Sequence, residues 1–575
     1  MPRISTTTAI ALLFLSNSAY ADTPDIVVDG VTGVLRDNVL SHLSMTTAGC
    51  DAPGWRIERL FKRADGEIRR ALRALGYYHA AVQKDMTRTE HCWHVHFLVD
   101  PGPQVTLGKV DIKILGEAAD DPAFEKARKL LPLKKGKPLN HGLYEQTKQS
   151  IASLASERGY FDSRFTVHEL RVDRDTNRAV IRLHFDSGSR YKFGRVDIDQ
   201  DILAPSFVAR YVRIKEGSPY TTRKLTALNQ DLTNSGYFTG VDVRPRIRKA
   251  KHLKVPIDVK LTPRKKHRYS FGVGFDTDTG PRVSGGYENR RLTRSGHRFD
   301  ANLRISPVLS KLTAEYKIPL RNPTREYLIL QTGFKREETA SINSNSYLVG
   351  LRSLLLHESG WLVTPSLNLS REDFVIGNDN GTASLLVPGV GGSHTRADGR
   401  LRIENGYRVN FELQGAHDSL ISDVSFIQFK AYGKLIKSLP WGGRFISRGE
   451  FGAMAVDEFS SLPATYRFFA GGDQSVRGYG YKELGPKDSD GDNLGGHYLT
   501  VLSVEYEQPV IENWSVAGFI DSGNATDSLN FDLKTGVGFG VRWQSFLGPI
   551  RLDIAFPIDE SDDTFRIHFA MGPEL

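Results

Sequence analysis

The chain has 575 residues, of which 39% are hydrophobic and 25% charged, with a formal net charge of +9. Its length exceeds that of one domain, and a mean hydropathy of −0.34 is too polar for a helical membrane protein. Runs of about 18 apolar residues do not occur, so the sequence predicts no membrane-spanning helix.

Residues 1–21 have the features of a secretory signal. Arg3 supplies a positive charge, residues 9–15 form a short apolar core, and Ala19-Tyr20-Ala21 provides a cleavage site. No cysteine follows this site, so a lipid anchor at the mature N-terminus is not expected. We therefore expect an exported protein; the alternative is a buried first helix.

The chain has two cysteines, Cys50 and Cys92, and both fall in the first small domain. An exported protein meets an oxidising environment, so the pair predicts a disulfide, with two free buried thiols as the alternative. Closing this loop stabilises a fold by about 4 kcal/mol in the chain-entropy model. Three histidines lie close to Cys92, but no second pair of ligands occurs at a zinc-like spacing, so we predict no metal site.

An internal repeat organises the chain before residue 266. An amphipathic helix leads three times into a Gly-Tyr-aromatic motif and then a strand. The motifs are Gly76-Tyr77-Tyr78, Gly159-Tyr160-Phe161 and Gly236-Tyr237-Phe238. Each glycine suits a helix C-terminal cap, and the aromatic residues pack the helix against a sheet. We predict three α/β modules over residues 22–102, 103–187 and 188–265. An exposed sheet edge in such a module could bind a partner by adding a strand; plain spacer domains are the alternative.

Charge is unevenly distributed between the two parts of the chain. Residues 22–266 carry a net charge of +13, whereas residues 267–575 carry −5. The stretch 244–268 alone has 11 basic residues and one acidic residue. In an exported protein, anionic lipid headgroups or an acidic partner fit this stretch better than nucleic acid does. A solvated basic face is the alternative.

From about residue 267 the sequence alternates with a period of two. The outward set of the first run is Tyr269, Phe271, Val273 and Phe275, and the inward set is Ser270, Gly272, Gly274 and Asp276. About sixteen such runs follow one another with turn residues between them. This pattern predicts an antiparallel transmembrane β-barrel over 266–575, in which closure satisfies the backbone hydrogen bonds.

Closure pairs the first strand, about 268–276, with the last, about 564–572. Gly272 and Gly274 weaken the first strand because glycine has no packing side chain, and the proline after Gly572 has no N–H with which to continue the pairing. We predict a weak lateral seam formed by Gly272, Gly274, Phe569 and Gly572. A strand of another protein could add to it; the alternative is a seam that never opens.

A long loop, 457–497, separates two of these strands and contains Val476-Arg477-Gly478-Tyr479. Alternation in the strands that follow places Glu505, Phe519 and Asp521 on the inner face. Inward glycines at positions 536, 538 and 540 leave room in the lumen. We predict that this loop plugs the barrel and that Arg477 pairs with Asp521, with Glu505 nearby. An ordinary surface turn is the alternative for Arg-Gly-Tyr alone.

Motifs of enzymes are missing from the sequence: it has no G-x-S-x-G, no H-E-x-x-H and no Walker A. The segment 488–492 resembles the start of a calcium loop but lacks the closing glutamate. We therefore predict no catalytic residues and no cofactor.

Val-Arg-Gly-Tyr in a long loop, followed by Gly-Phe-x-Asp-x-Gly on a strand, resembles the Omp85 superfamily and, more closely, its TamA branch. The similar stretches are 467–479, 271–283 and the ending Gly-Pro-Glu-Leu, and the resemblance extends over essentially the whole mature chain. It implies that the modules are POTRA domains in the periplasm. It also implies that the barrel has 16 strands and lies in the outer membrane of a Gram-negative cell.

The resemblance also implies a function, which is to insert or secrete outer-membrane clients such as autotransporters. The expected partner is a TamB-like protein, anchored in the inner membrane, that docks on the POTRA domains; lipid transport between the membranes is also compatible. One alternative is a two-partner secretion pore, against which the three repeats and the C-terminal sequence count. Another is a passive porin, which has no use for three modules and a plugging loop.

Overall fold

The structure is a computed structural model that describes residues 24–89, 92–399, 402–530, 532–545, 548–559 and 565–571. The expected signal segment, 1–21, lies outside the described residues. So do Gly572 of the expected seam and the Gly-Pro-Glu-Leu ending.

The chain divides into two compact units. The first comprises the described residues up to Val196, together with Ile214–Leu225 and Pro245–Ile257. The second comprises Asp197–Arg213, Thr226–Arg244 and the described residues from Asp258 onward. Residues of the expected third module, 188–265, therefore occur in both units.

The first module is a three-stranded sheet covered by two helices. Its elements are β1 (Asp25–Asp29), α1 (Val34–His42), a 3-10 turn (Ser44–Thr47), α2 (Gly54–Ala74), β2 (Ala81–Arg88) and β3 (Trp93–Asp100), with strand order β1-β3-β2. Alternate residues of β3, from Trp93 to Val99, are buried in the core. Cys50 and Cys92 form a disulfide that joins the segment before α2 to the start of β3.

The second module repeats this arrangement. Its elements are β4 (Thr106–Leu115), a 3-10 turn (Gly116–Asp120), α3 (Pro122–Leu130), α4 (His141–Arg158), β5 (Arg164–Asp173) and β6 (Arg178–Asp186), with strand order β4-β6-β5. Asn140 begins α4 because its side-chain oxygen accepts a hydrogen bond from the Leu143 N–H at 3.2 Å. Gly159 ends α4 in the left-handed conformation, at φ 86°, which suits glycine.

The third sheet has the same strand order. Its strands are β7 (Lys192–Asp199), β8 (Phe238–Pro245) and β9 (Lys254–Pro263) in the order β7-β9-β8, with α5 (Pro205–Val208), α6 (Thr222–Asn234) and 3-10 turns at Ala209–Tyr211 and Ile247–Lys249. In the described part of the chain, the three small sheets thus confirm the α/β modules that the repeat predicts. None of the helices among the described residues is long and apolar enough to cross a membrane.

The rest of the described chain forms one sixteen-stranded antiparallel barrel, which confirms the predicted fold. The strands are β10 (His267–Asp276), β11 (Gly280–Asn289), β12 (Arg298–Ile305), β13 (Leu309–Pro319), β14 (Glu326–Glu338), β15 (Ile342–Leu356), β16 (Leu362–Ile376), β17 (Asp379–Ala397), β18 (Asn405–Ala416), β19 (Phe426–Ser438), β20 (Arg444–Val456), β21 (Tyr498–Ile511), β22 (Trp514–Thr526), β23 (Lys534–Ser545), β24 (Gly548–Pro557) and β25 (Arg566–Met571). Each strand pairs with the next along the chain, as in a meander of hairpins.

Side chains of the barrel alternate between an apolar outward face and a lumen face. Phe271 and Val273 of β10 point outward and are 89% and 82% exposed. In β22, Trp514 and Ile520 are exposed, whereas Phe519 and Asp521, the residues on either side of Ile520, are buried. This period-two pattern places the polar groups of the predicted site inside the barrel.

The strand order begins at β10 and ends at β25, so these two strands flank the seam of the barrel. They meet beside the turn between β10 and β11. We call this end of the barrel, where β10 ends, the far end. There the Thr277 N–H donates to the Phe569 carbonyl at 3.3 Å, and the Phe569 N–H donates to the Thr277 hydroxyl at 3.0 Å. The rings of Phe275 and Phe569 lie 6.0 Å apart. In the part of the chain that the structure describes, β25 comprises six residues.

Candidate functional site in the barrel lumen

The connection between β20 and β21, residues 457–497, runs through the barrel lumen, and we call it the plug loop. It has its own hydrophobic core, in which its apolar side chains pack on lumen-facing residues of β17, β19 and β21. The buried side chains of the plug loop in this core are Leu462, Tyr466, Phe468, Ala470, Val476, Tyr479 and Leu484. The loop is therefore a packed part of the barrel interior.

Arg467 holds the two ends of the plug loop together. Its guanidinium donates to the carbonyl oxygens of Ser460 and Leu462, each at 2.8 Å, and of Leu494 at 3.0 Å. It also donates to the Asp379 carboxylate of β17 at 2.7 Å. One buried arginine thus ties both halves of the loop to the barrel wall.

Glycines let the middle of the plug loop turn sharply. The φ angles of Gly471, Gly472 and Gly478 are 99°, 103° and 100°. Residues other than glycine rarely adopt this backbone conformation. A Cβ atom on Gly478 would also lie 3.2 Å from the backbone nitrogen of Pro557 in β24. The backbone of the loop therefore approaches the barrel wall directly after Arg477.

Arg477 lies at the centre of the site, where its guanidinium contacts three carboxylates. Its Nε and Nη2 donate to the two oxygens of Asp521 at 2.7 and 3.0 Å, a bidentate pair. Its Nη1 donates to Glu505 at 2.7 Å and to Asp553 at 3.0 Å. The guanidinium lies over the Phe519 ring, 3.4 Å from the ring centroid.

The backbone of Arg477 also takes part, since its N–H donates to Asp521 at 3.1 Å. Asp521 is fully buried and Arg477 is 6% exposed. A buried carboxylate needs several donors to replace the water that it loses. The Arg477 residue alone supplies three of them to Asp521.

A second arginine, Arg542 of β23, completes the ion network. Its Nε and Nη2 donate to Glu505 at 3.1 and 2.9 Å, and its Nη1 donates to Asp553. Glu505 and Asp553 therefore each contact both arginines. This network joins the plug loop to β21, β22, β23 and β24.

Glycines on the lumen face of β23 make room for the network. A Cβ atom on Gly536 would lie 1.8 Å from the Arg477 carbonyl oxygen, and one on Gly540 would lie 1.8 Å from an Asp553 oxygen. A Cβ atom on Gly538 would lie 2.4 Å from the Phe519 ring. Each of these positions therefore requires glycine for the plug loop to seat as it does.

The structure brings together the four predicted residues Arg477, Asp521, Glu505 and Phe519. Val476 and Tyr479 are buried in the plug-loop core, next to the network. Sequence reasoning missed Asp553 as an acceptor and missed the role of Arg542. Alternation provided a signal for Asp553, because it lies between Leu552 and Ile554, which would face outward.

The plug loop also contacts the last strand through His568. The Gly478 N–H donates to Nε2 of His568 at 2.9 Å, and Nδ1 of His568 bonds to the Asp473 carboxylate. Asp278, Asp473 and His568 place potential metal ligands within 4.8 Å of one another. Both nitrogens of the imidazole are already hydrogen-bonded to the plug loop, so the cluster is satisfied without an ion.

Cavities remain in the lumen on two sides of the plug loop. One, of about 490 Å³, is lined mainly by β13, β14, β15 and β16 together with Thr465 of the plug loop. Another, of about 470 Å³, lies beside the seam, and its lining includes Asp473, Arg408, Arg551 and Arg282 of β11. The lumen surface is polar and charged, as expected for a space that holds water.

Comparison with protein-family models assigns most of the chain. The model of the Omp85 superfamily domain matches residues 311–574. The model described as POTRA domain TamA domain 1 matches residues 25–101. A further POTRA model, described as a surface antigen variable number repeat, matches residues 111–188 and 191–264.

Curated relatives include two proteins named outer membrane protein assembly factor BamA. The protein of Nitratidesulfovibrio vulgaris is 26% identical over 510 residues, which cover 83% of this chain and 63% of the relative. That of Neisseria meningitidis serogroup B is 24% identical over 558 residues, covering 83% of this chain and 68% of the relative. The chain thus spans about two thirds of the length of these relatives.

Among solved structures, BamA from Haemophilus ducreyi lacking POTRA domains 1–3 has a similar fold. It superposes with a TM-score of 0.67 and 15% sequence identity, over 81% of this chain and 99% of that one. At this level of identity the similarity supports the architecture alone.

Proposed function

Because the chain belongs to the Omp85 superfamily, as a Gram-negative outer-membrane barrel with periplasmic POTRA domains, we propose that it assembles or translocates other outer-membrane proteins. Its barrel acts as a template and not as a catalyst of covalent chemistry. The POTRA domains receive clients or partner proteins in the periplasm, and the seam between β10 and β25 passes client strands into the membrane.

The observation that carries this proposal is the seam. Two end strands meet at Thr277 and Phe569, beside a plug loop that fills the adjacent lumen. Unpaired backbone groups are very costly inside a membrane, so an opened seam attracts a strand that supplies hydrogen bonds. A client strand that pairs with β10 or β25 would satisfy these groups by β-augmentation.

A more specific role of the TamA type is the finer part of the proposal. In that role the clients include autotransporters, and the POTRA domains bind a TamB-like protein anchored in the inner membrane; transport of lipid between the membranes is a related activity. The match of the TamA first-domain model to residues 25–101 supports it. The BamA relatives support the assembly function without separating the two roles.

A passive porin is a less suitable alternative because of the plug loop. Porins keep a water-filled channel along the barrel axis, whereas here a packed loop with its own core crosses the lumen. We expect single-channel recordings of the purified protein in planar bilayers to show a small conductance. A large, permanently open channel would support a porin.

Reconstitution tests the proposed function directly. Proteoliposomes that contain the full chain would receive an unfolded autotransporter, and protease protection would measure how fast its barrel inserts. We expect faster insertion than into matched liposomes that contain a sixteen-stranded porin. Equal rates in the two preparations would contradict the proposal.

Crosslinking tests the expected partner separately. A photo-reactive residue at the exposed Trp55 of the first POTRA domain would be activated in intact cells, followed by purification under denaturing conditions. We expect a crosslink to a long inner-membrane-anchored protein. Crosslinks confined to soluble periplasmic chaperones would contradict a TamB-like partner.

A further inference from the structure

A cluster of side chains at the far end of the barrel joins three elements at the seam. The turn after β10 contributes Thr277 and Asp278, β25 contributes His568, and the plug loop contributes Asp473. All of these residues lie in the second compact unit. The cluster shares no residue with the Arg477 network, whose acceptors and second arginine lie on β21 to β24.

Asp473 contacts β25 on one side of the seam and the turn that follows β10 on the other. The Thr277 hydroxyl lies 2.8 and 2.9 Å from the two oxygens of its carboxylate. Nδ1 of His568 in β25 bonds to the same carboxylate. The backbone N–H of Asp473 donates to the Asp278 carboxylate at 2.9 Å. A single loop residue thus bridges the two edges of the barrel sheet.

His568 connects β25 to the plug loop through both ring nitrogens. Its Nε2 accepts a hydrogen bond from the Gly478 N–H at 2.9 Å. Since Nε2 is the acceptor, Nδ1 carries the proton that it donates to Asp473. Gly478 directly follows Arg477, so the position of β25 depends on the same segment that the ion network holds.

Thr277 makes the direct link across the seam. Its hydroxyl accepts a hydrogen bond from the Phe569 N–H and donates toward Asp473. Its own N–H donates to the Phe569 carbonyl. The carboxylate of Asp473 therefore orients the hydroxyl on which the cross-seam contact depends.

We propose that Asp473 is a clasp by which the plug loop holds the seam closed, so that the seam opens only when the tip of the loop moves away from β10 and β25. This inference rests on the proposed function in one respect, which is that client strands enter at this seam. It adds a specific residue and a rule: movement of the loop and opening of the seam are coupled.

The contacts explain why the coupling is reciprocal. The side chains of Asp473 and His568 are 4% and 6% exposed, so neither is satisfied by water while the loop is seated. A strand that enters the seam displaces Phe569 from Thr277 and weakens the hold on Asp473. Withdrawal of Asp473 removes a partner from both end strands in the same way, as linkage requires.

Distance measurements on the full chain test this clasp. Nitroxide labels on cysteines introduced at Val273 of β10 and Ile567 of β25, both exposed on the outward face, would report the width of the seam by pulsed electron resonance. The native cysteines form a disulfide and do not take up the label. We expect D473A to add a population longer by about one strand spacing, roughly 5 Å.

Matched variants isolate the clasp from a general loss of charge. D490A removes an exposed acid of the same plug loop and should leave the distances at their wild-type values. T277V removes the hydroxyl at nearly constant volume and should widen the seam as D473A does. T277S keeps the hydroxyl and should restore the wild-type distances. If D473A does not fold, D473N, which keeps the size of the side chain but not its charge, replaces it.

Wild-type distances in D473A, or in D473N in its place, and in T277V would overturn the clasp. This readout requires no client, so it is independent of the insertion assay. A widened seam in a protein that assembles no client would support the clasp and contradict the proposed function. Wild-type distances in the variants of a protein that assembles clients would have the opposite meaning.

Discussion

At the residue scale, Arg477 is the centre of the lumen site because one guanidinium satisfies three carboxylates. Its planar fork binds Asp521 through two nitrogens and leaves Nη1 for Glu505 and Asp553. A lysine ammonium cannot reproduce this arrangement, since it presents a single charged nitrogen. The three acids, for their part, require a cation because each is buried on the lumen face.

Replacement of Arg477 should therefore weaken the barrel strongly. Removal of one partner of a buried ion pair costs about 3–5 kcal/mol, and less where water enters the lumen. We expect R477A to form a barrel that loses its heat-modifiable migration at a lower temperature, with R477K intermediate. The exposed Arg371 of β16 provides a control, R371A. Wild-type stability and client assembly in both R477A and D521A would contradict the pairing.

The lumen glycines of β23 give a steric prediction. A methyl group at Gly536 would collide with the Arg477 carbonyl oxygen, 1.8 Å from the Cβ position. Overpacking of this kind costs about 1–3 kcal/mol, so G536A should leave the barrel folded but displace the plug loop. Protease digestion of residues 457–497 measures the displacement.

A matched control for this steric effect is available on the neighbouring strand. A Cβ atom on Gly518 of β22 meets no atom within 4 Å, so G518A should retain the protection of the wild type. Equal protection of the loop in G536A and G518A would show that the close approach at Gly536 is unimportant.

The turn between β10 and β11 gives a pH prediction. Burial, together with the negative charge of Asp473, raises the pKa of the Asp278 carboxyl to about 7. The pKa of an aspartate in the unfolded chain is about 3.9. Because the pKa is higher in the folded state, the protonated Asp278 carboxyl contributes to the stability of the fold. This contribution is fully present below about pH 4 and is lost as the pH rises through about 7. We expect the wild-type unfolding temperature to fall over this range more than that of D278N. A D278N protein with an unchanged pH dependence would refute this contribution of Asp278.

At the scale of elements, the repeated Gly-Tyr-aromatic motif forms joints along the modules. The Val105 N–H donates to the Gly76 carbonyl and the Tyr191 N–H to the Gly159 carbonyl, each at 2.9 Å, so the start of one module attaches to the helix end of the one before. Arg190 adds to the second joint by donating to the Arg158 carbonyl at 2.9 Å. The joints explain why the motif recurs in this chain without requiring a binding role for it.

The disulfide of the first module gives a prediction at the same scale. Cys50 and Cys92 are linked over a separation of 42 residues, and a loop of this length stabilises the module by about 4 kcal/mol in the chain-entropy model. Protein purified from outer membranes without reductant should resist a thiol-reactive mass tag until it is reduced. The double variant C50S/C92S should be digested faster within residues 24–100, with the barrel unchanged. Complete tagging without reductant would refute the disulfide.

At the scale of the whole molecule, the sequence predicts the architecture well because the periodicities of the modules and of the barrel differ. Alternation also placed Asp521 and Glu505 in the lumen, and the inward glycines indicated that something occupies it. The sequence pattern does not identify Asp553 or His568 as partners of the plug loop. Their contacts depend on the stagger of strands around the barrel and on the path of a long loop, and neither is written in a local pattern.

The seam illustrates the same limit. The sequence places its weak point at Gly272 and Gly274, from the lack of side chains. In the structure the two end strands meet at Thr277 and Phe569, beyond the last residue of β10. A threonine in a turn carries no signal of this kind, since its partner lies 292 residues away.

The central claim is that clients enter through this seam, and a reversible lock tests it most directly. Cysteines introduced at Phe275 and Phe569, whose rings lie 6.0 Å apart, would bond β10 to β25. A control pair at Val273 and Val283, which face each other on β10 and β11, would bond β10 to β11 without bridging the seam. Because reductant also opens the native disulfide, the wild type is measured with and without it. We predict that the seam-locked protein loses client insertion and regains it on reduction, whereas the control pair inserts clients at the wild-type rate throughout. Wild-type insertion by the seam-locked protein, with no effect of reductant, would contradict the account.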